Sequence, residues 1–347
     1  MNNYLLSIAI PTYNRINFLN SLLKTLLKQI NKRNLSIEIV ISDNFSNDGT
    51  EGLILEFSKK YKFIKYYKNE SNFGPDINMY LAIKRSNGKF VWLLGDDDLV
   101  KENAVKKIYE TIKSNIDVSL FFINRKIVNI DLSKVFLEKD INESEDIIFE
   151  NGIDLAYKFY DKILTCSCLV FNKKFVFGEF SYNFFYGLFL SPLVFSIECL
   201  SKGKGYFIEE ALVLYREGDK SLWINFWPEI YSYNVPYVFY NAKKYFQLKK
   251  RFKISNLDKR MELLQKFIIN KKNKREFNFI NFEYIFIFYH YYFNYWRYIF
   301  WLCLAPSWVY YLIRKIKDIF YFGKKLFKNF LKKILKTNYH RIVIKNN

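Results

Sequence analysis

Hydrophobic positions come in short blocks along the first hundred residues, and the blocks alternate between two periods. Residues 7–10 form an apolar run that ends at Pro11, after which Leu19, Leu22, Leu23, Leu26, Leu27 and Ile30 recur at helical spacing. A β-branched run over 37–41 ends in Ser42-Asp43-Asn44, and Leu53 to Phe57 lies on a helix opened by Asp48-Gly49-Thr50. A short strand near 63–67 leads to a loop over 69–74, and Pro75 then starts a helix through Met79, Ala82 and Ile83. Residues 90–94 make a fourth strand, which ends in Gly95-Asp96-Asp97-Asp98 before a helix near Lys101. This alternation predicts an α/β fold with a parallel, doubly wound sheet and right-handed crossovers.

The order of the polar residues adds a site to that fold. Thr12-Tyr13-Asn14, Asp43-Asn44, Asn72-Phe73-Gly74 and Asp96-Asp97-Asp98 all follow predicted strands, so they share the rim where doubly wound sheets bind ligands. No G-x-G-x-x-G follows the first strand and no G-x-x-x-x-G-K-[ST] occurs, which excludes the usual dinucleotide and P-loop cradles. Three adjacent carboxylates in a cleft repel one another unless a counter-charge is present. A divalent cation with hard oxygen ligands, Mg²⁺ or Mn²⁺, supplies that charge. The same residues also suit a solvated turn that caps the next helix.

Four stretches carry a family resemblance: Ser7-Ile-Ala-Ile-Pro-Thr-Tyr-Asn-Arg15, the run from Glu38 through Ser42-Asp43-Asn44 to Thr50, Asn72-Phe-Gly74, and Val91-Trp-Leu-Leu-Gly-Asp-Asp-Asp98. In order and spacing they resemble the family 2 glycosyltransferases with a GT-A fold. Within that family they are similar to bacterial enzymes of surface-polysaccharide synthesis, including the abequosyltransferase-like group. The resemblance implies a nucleoside-diphosphate-sugar donor, UDP being typical. It implies that Pro11, Thr12 and Tyr13 line the nucleotide pocket, that Asp43, with Asn44 beside it, hydrogen-bonds the base, and that Asn72 and Gly74 lie near the ribose. It further implies that Asp96 faces ribose or sugar, that Asp96 to Asp98 together hold the metal-diphosphate, and that Asp98 is the direct metal ligand. A carboxylate accepting the uracil N–H and a cation neutralising a leaving diphosphate are chemically suited to these tasks.

Two stretches depart from the pattern. An inverting displacement needs a general base on the acceptor hydroxyl, and relatives carry an Asp or a His near the position of Ser191. The segment from Tyr186 to Pro192 holds neither, which leaves Glu198 as the first choice, with Glu179 behind it. The run Leu214-Tyr-Arg-Glu-Gly-Asp-Lys-Ser221 resembles the family's closing motif, yet Gly218 stands where a metal-binding His is frequent. Metal binding then rests on Asp98, diphosphate and water, with Asp219 nearby, while Arg216 suits bidentate contact with phosphate.

Composition changes the picture toward the C-terminus. The chain of 347 residues carries 54 Lys and Arg against 34 Asp and Glu, a formal net charge of +20, so an anionic partner is expected. The densest basic runs lie beyond Trp227. A Tyr- and Trp-rich segment over 284–304 suits an interface better than a membrane span, because Asn294 and Arg297 interrupt it. From Trp301 onward eleven Lys or Arg face one acid, Asp318, and apolar residues from Ile316 to Leu335 line one helical face. The division read from sequence is therefore a domain over 1–226, with a nucleotide-sugar half to about 125 and an acceptor half beyond it. A basic, helical, membrane-associating region over 227–347 follows.

The N-terminus has no basic n-region and only a short apolar run, so the expected location is peripheral, at the cytoplasmic face of the inner membrane, with a glycan or lipid-linked glycan as acceptor. Cys166, Cys168, Cys199 and Cys303 lack metal or redox spacing and read as buried thiols. His290 and His340 lie far from the motifs. Two other readings stay open. One is a catalytically silent glycosyltransferase-like subunit; the other is a nucleic-acid-binding protein, disfavoured because the basic runs do not flank the motif cleft.

Overall fold

The computed structural model describes residues 4–30, 35–184, 190–217 and 234–248, together with 264, 268, 269, 271 and 301–304. Two compact units are present, Met1–Ser255 and Asn256–Asn347. The first opens with the alternation read from sequence: β1 (Leu6–Thr12), α1 (Ile16–Ile30), β2 (Ile37–Asp43), α2 (Thr50–Lys60), β3 (Ile64–Lys68), α3 (Pro75–Arg85) and β4 (Phe90–Leu93). β1 lies between β2 and β4 and runs parallel to both, with β3 parallel to β2 at the outer edge. Helices cover both faces of this part of the sheet, so β2 and β4 are buried along their whole length and read as continuous apolar runs.

The predicted all-parallel order holds for these four strands and stops there. Next in chain order come β5 (Leu99–Val100), α4 (Ala104–Ser114), β6 (Leu120–Asn129), β7 (Val135–Leu137), β8 (Ile147–Phe149), α5 (Ile153–Lys158), a 3₁₀ turn (Cys166–Cys168) and β9 (Leu169–Asn172). Then follow α6 (Lys173–Val176), α7 (Glu179–Phe184), α8 (Ser191–Leu200), β10 (Gly205–Glu217) and α9 (Val235–Tyr245). β9 slots between β4 and β6 and runs antiparallel to both, giving the order β3-β2-β1-β4-β9-β6-β10-β5 in a mixed ten-stranded sheet. β6 turns back through a tight hairpin at Asp131–Ser133, where Asp131 accepts the Ser133 N–H, and pairs antiparallel with β7, while its parallel partner β10 is reached through the helices that follow β9. Because β9 opposes both flanking strands, β6 and β10 again point the same way as β4. The ends of β4, β6 and β10 therefore meet on one rim.

Packing positions that rim. α1 buries Leu19, Leu22, Leu23, Leu26, Leu27 and Ile30, each contributing on the order of 2 kcal/mol of burial. The α1 entry is held by Asp48, whose Oδ2 accepts the Ile16 N–H at 2.9 Å, tying the loop after β2 to the first turn after β1. Trp92 in β4 is fully buried and donates from Nε1 to the Ser167 carbonyl at 2.8 Å, locking β4 to the 3₁₀ turn before β9. α8 is buried along both sides between the sheet and its neighbours, and α9 joins the same unit through Tyr245 and Phe246 against Phe180. Cys168, Cys199 and Cys303 are buried, Cys166 is half-buried, and none of the four is in a disulfide among the described residues.

In the second unit Leu264, Ile268 and Cys303 are buried and 301–304 is helical. The basic amphipathic stretch read over 316–335, most of the aromatic segment, and both histidines lie outside the described residues. No helix among the described residues is long and apolar enough to cross a membrane.

A close backbone approach beside the sheet gives a stability prediction. A Cβ on Gly88 would stand 2.6 Å from the Ser7 backbone nitrogen, whereas one on Gly52, inside α2, would meet nothing. Gly88→Ala is expected to cost ~2 kcal/mol or more through overpacking, while Gly52→Ala gains up to ~1 kcal/mol of helix propensity. Urea unfolding of the two variants should therefore show midpoint shifts of opposite sign.

Candidate functional site

The first two loops on the rim are knitted together by asparagines. Asn44 donates to the Asn72 side chain at 2.6 Å, its own side-chain oxygen accepts from Asn69 and from the Phe73 N–H, and its backbone N–H reaches the Thr12 carbonyl. Asn78, one turn into α3, bridges back to the Ser42 carbonyl and hydroxyl. Asp43 is fully buried, and its oxygens accept from the Ser46 N–H at 2.9 Å and the Tyr66 hydroxyl at 2.7 Å. That turn holds Phe45 at φ 71°, a left-handed conformation that costs a non-glycine residue roughly 1–2 kcal/mol. The result is that Tyr13, Phe45 and Phe73, one from each of three loops, all present exposed aromatic faces on the rim.

The structure brings together Thr12, Asp96, Asp97, Asp98 and Arg216 from the sequence-read set, and adds two residues to them. The Thr12 hydroxyl donates to Asp96 Oδ2 at 2.7 Å. Arg15, at the entry to α1, places Nη1 3.1 Å from Asp96 Oδ1 and 2.6 Å from Asp97 Oδ2. Asp98 is buried, accepting the Arg216 N–H at 2.9 Å on one oxygen and the Ser167 hydroxyl at 2.5 Å on the other. Arg216 donates from Nη1 to the Asp97 carbonyl and lays its guanidinium over the Phe18 ring, 5.2 Å from the centroid. Its Nε is buried and has no hydrogen-bond partner among the described residues.

The electrostatics of this strand end follow from burial. Removal from water pushes Asp96 up to about 6 and Asp98 up to about 7, and the Asp97 charge adds to both rises. Arg15 and Thr12 oppose the rise at Asp96; the Ser167 hydroxyl and the Arg216 N–H oppose it at Asp98. Among the described residues no group of three or more His, Cys, Asp or Glu side chains is arranged to hold a metal. Mg²⁺ and Mn²⁺ need fewer, because one or two carboxylates suffice when phosphate and water complete the shell. Asp97 and Asp98 both flank the Gly95 backbone and are hard oxygen donors, so the donor set fits such an ion, and the unpartnered Arg216 Nε fits the phosphate that would accompany it.

Ser167 and Arg15 were not legible as site residues. Ser167 sits inside Cys-Ser-Cys, a stretch whose chemistry read as buried thiols, yet its hydroxyl accepts the Gly95 N–H and donates to Asp98, aligning the whole turn. On the acceptor side the structure separates the sequence-read base from the trio. Glu198 is buried, with one oxygen accepting the Ser181 N–H at 2.8 Å and the other paired with Lys202, so it joins α8 to α7. Ser191 opens α8, and its N–H donates to Oδ1 of Asp76 at 3.2 Å. A carboxylate from α3 thus stands where the α8 sequence lacks one. Of the other sequence-read residues, Glu179 accepts the Tyr245 hydroxyl at the start of α7, and Asp219 lies outside the described residues.

Comparison with known proteins agrees with this geometry. Residues 7–176 match the family described as glycosyl transferase family 2. Over 157 residues the chain is 36% identical to abequosyltransferase RfbV of Salmonella typhimurium, across 43% of this chain and 45% of that protein. Over 213 residues it is 29% identical to a Campylobacter jejuni protein named GalNAc(5)-diNAcBac-PP-undecaprenol beta-1,3-glucosyltransferase, across 61% of this chain and 64% of the other. Each match spans less than two-thirds of the relative's length. S. aureus TarS 1-349, solved in complex with UDP-GlcNAc, shares the fold with a TM-score of 0.52 at 16% identity, over 76% of this chain and 80% of that one. Residues 7–176 accordingly match a glycosyl transferase family 2 domain, and their fold is of the GT-A kind.

The raised carboxyls yield a signed pH prediction for the metal-free protein. Unfolded Asp98 ionises near 3.8, whereas the folded carboxyl holds its proton to about 7. Its protonated form thus favours the fold at low pH, and that advantage is lost as pH rises through the folded value. Asp98→Asn carries no charge; its amide oxygen can accept the Arg216 N–H, and its amide nitrogen can donate to the Ser167 hydroxyl in the reverse sense. Relative to the parent in EDTA, it should gain more than ~1 kcal/mol between about pH 5 and about pH 8. Urea titrations of both proteins at the two pH values measure this, and a pH-independent difference would show that the carboxylate is already fully balanced.

Proposed function

We propose that this glycosyltransferase moves a sugar from a nucleoside diphosphate, UDP in the first instance, to a bacterial surface-glycan acceptor with inversion at the anomeric carbon. The observation that carries the reading is the end of β4. Two buried carboxylates and a third, partly exposed one lie beside the guanidinium groups of Arg15 and Arg216, on the rim that also presents Tyr13, Phe45 and Phe73.

In this reading Pro11, Thr12 and Tyr13 line the nucleotide pocket, with Tyr13 offering the base a stacking face. Asp43, Asn44, Asn72 and Gly74 shape the loops that receive base and ribose. Asp96 faces the ribose or sugar, Asp97 and Asp98 hold Mg²⁺ or Mn²⁺, and Arg216 contacts phosphate through the donor that is otherwise unpartnered. When bound, the ion neutralises the charge that builds on the leaving diphosphate. The acceptor oxygen forms a bond to the anomeric carbon as the bond to the diphosphate oxygen breaks, and the acceptor proton passes to a base. Glu198 was the sequence choice for that base; its ties to Ser181 and Lys202 support a structural role instead. We assign the proton to Asp76, the carboxylate at the opening of α8.

The acceptor reading draws support from the Campylobacter relative, whose name specifies an undecaprenol-diphosphate-linked glycan. A lipid-linked acceptor suits a division in which 1–226 performs the transfer and the basic, aromatic 227–347 attaches peripherally to an anionic membrane surface on the cytoplasmic side.

Two experiments test these assignments. Calorimetry of the full chain with Mn²⁺ should detect UDP binding, and Asp98→Ala should weaken it at least about tenfold. Failure to bind any of UDP, GDP, CDP and dTDP would sink the donor reading and favour the silent-subunit alternative. Asp76→Asn should lower turnover by roughly 10²-fold or more while leaving UDP affinity within about twofold. Glu198→Gln should lower the unfolding midpoint instead, and the opposite pattern would return the base to Glu198.

A further inference from the structure

We propose that Arg15 is a ligand of the donor diphosphate, held on Asp96 and Asp97 until a divalent cation takes over their charge. The inference rests on the donor reading above and goes beyond it, because nothing in that reading assigns Arg15 a partner other than the protein itself.

The geometry supports an exchange. One guanidinium nitrogen serves two carboxylates from adjacent residues, 3.1 Å from Asp96 and 2.6 Å from Asp97. A cation bound to this turn competes for the same oxygens and repels the guanidinium beside it. Arg15 has somewhere to go: its side chain is about a third exposed, and it follows Asn14, which takes φ 52°, directly before α1 rather than inside the helix. Arg216 stands on the same side of the cleft. Phe18, over which the Arg216 guanidinium lies, is three residues on from Arg15 in the first turn of α1. Two guanidinium groups, one rising from α1 and one from the end of β10, thus converge on the acidic turn. A diphosphate presents several anionic oxygens at the spacing a planar guanidinium recognises in pairs. In the metal-free protein Arg15 serves as the counter-charge; in the loaded protein it becomes a phosphate donor.

Because the same residue competes with the ion and assists the nucleotide, its removal must act on the two in opposite directions. Removing a purely structural ion pair would change neither affinity, or weaken both together. The test uses the full chain and two variants. Manganese binding is followed by electron paramagnetic resonance without nucleotide, and UDP binding by calorimetry at saturating Mn²⁺. Arg15→Met is expected to tighten Mn²⁺ about fivefold and to weaken UDP about tenfold. Arg15→Lys keeps the charge without the fork, so its Mn²⁺ affinity should stay near the parent's while UDP still weakens; it carries the test if Arg15→Met does not fold. Mn²⁺ affinity that is unchanged or weaker in Arg15→Met, or UDP affinity that is unchanged in either variant, overturns the proposal. A parent protein that binds neither Mn²⁺ nor UDP overturns the donor reading itself, which is a distinguishable failure.

Discussion

Three carboxylates at consecutive positions after β4 set the constraint to which the rest of the site responds. Asp96 and Asp98 are buried and Asp97 is partly exposed, so three carboxyl groups crowd into a region largely withdrawn from water. Such a turn is stable only if each carboxylate has a partner. The partners come from four separate places in the chain: Thr12 at the end of β1, Arg15 before α1, Ser167 in the 3₁₀ turn before β9, and Arg216 near the end of β10. One acidic turn therefore ties both halves of the unit to β4. Substitution of any of these partners is felt at the turn and, through it, by elements more than a hundred residues apart.

The mixed sheet is what makes that convergence possible. Had β9 continued the parallel order, its start would lie at the opposite rim and Ser167 could not reach Asp98. Running antiparallel between β4 and β6, β9 begins where β4 ends, and the Trp92–Ser167 bond fixes the two at that point. β10 then runs with β4 and delivers Arg216 to the same turn. The departure from a regular doubly wound sheet is thus the element that completes the site.

This also explains which parts were legible in the sequence. β1 to β4 were readable because parallel strands covered on both faces leave continuous apolar runs, and because the polar residues that matter sit directly after them. Asp96 to Asp98, Asp43 and Thr12 announce themselves by that position. The insertion of β9 left no such mark, since a four-residue apolar strand looks the same whichever way it pairs. Ser167 and Asp76 act through contacts with residues 69 and 115 positions away, and neither residue type is unusual in its local sequence. Glu198 misled for the converse reason: a helical carboxylate near the expected segment is visible in sequence, whereas its ties to Ser181 and Lys202 are not. Arg15 was visible within the first motif, but its pairing with the acidic turn exists only once β1 and β4 are adjacent.

The two sides of the cleft differ in how firmly they are organised, and the difference follows from their bonding. On the donor side the loops after β1, β2 and β3 are cross-linked by side-chain amides, and Asn44 alone joins all three. Such a network is ordered before any ligand arrives, so little conformational entropy remains to be lost on binding. Toward α8 the organisation is largely apolar: α8 is buried along its length, and at its opening the Ser191 N–H donates to Asp76 while the Ser191 hydroxyl reaches the Met79 sulfur, both in α3. Cross-linked donor loops suit a constant ligand, the nucleoside diphosphate, which is the same in every turnover whatever sugar it carries. The opening of α8 and the acidic turn thus depend on different partners, so a substitution at Ser191 leaves the bonds of Asp96 and Asp98 in place.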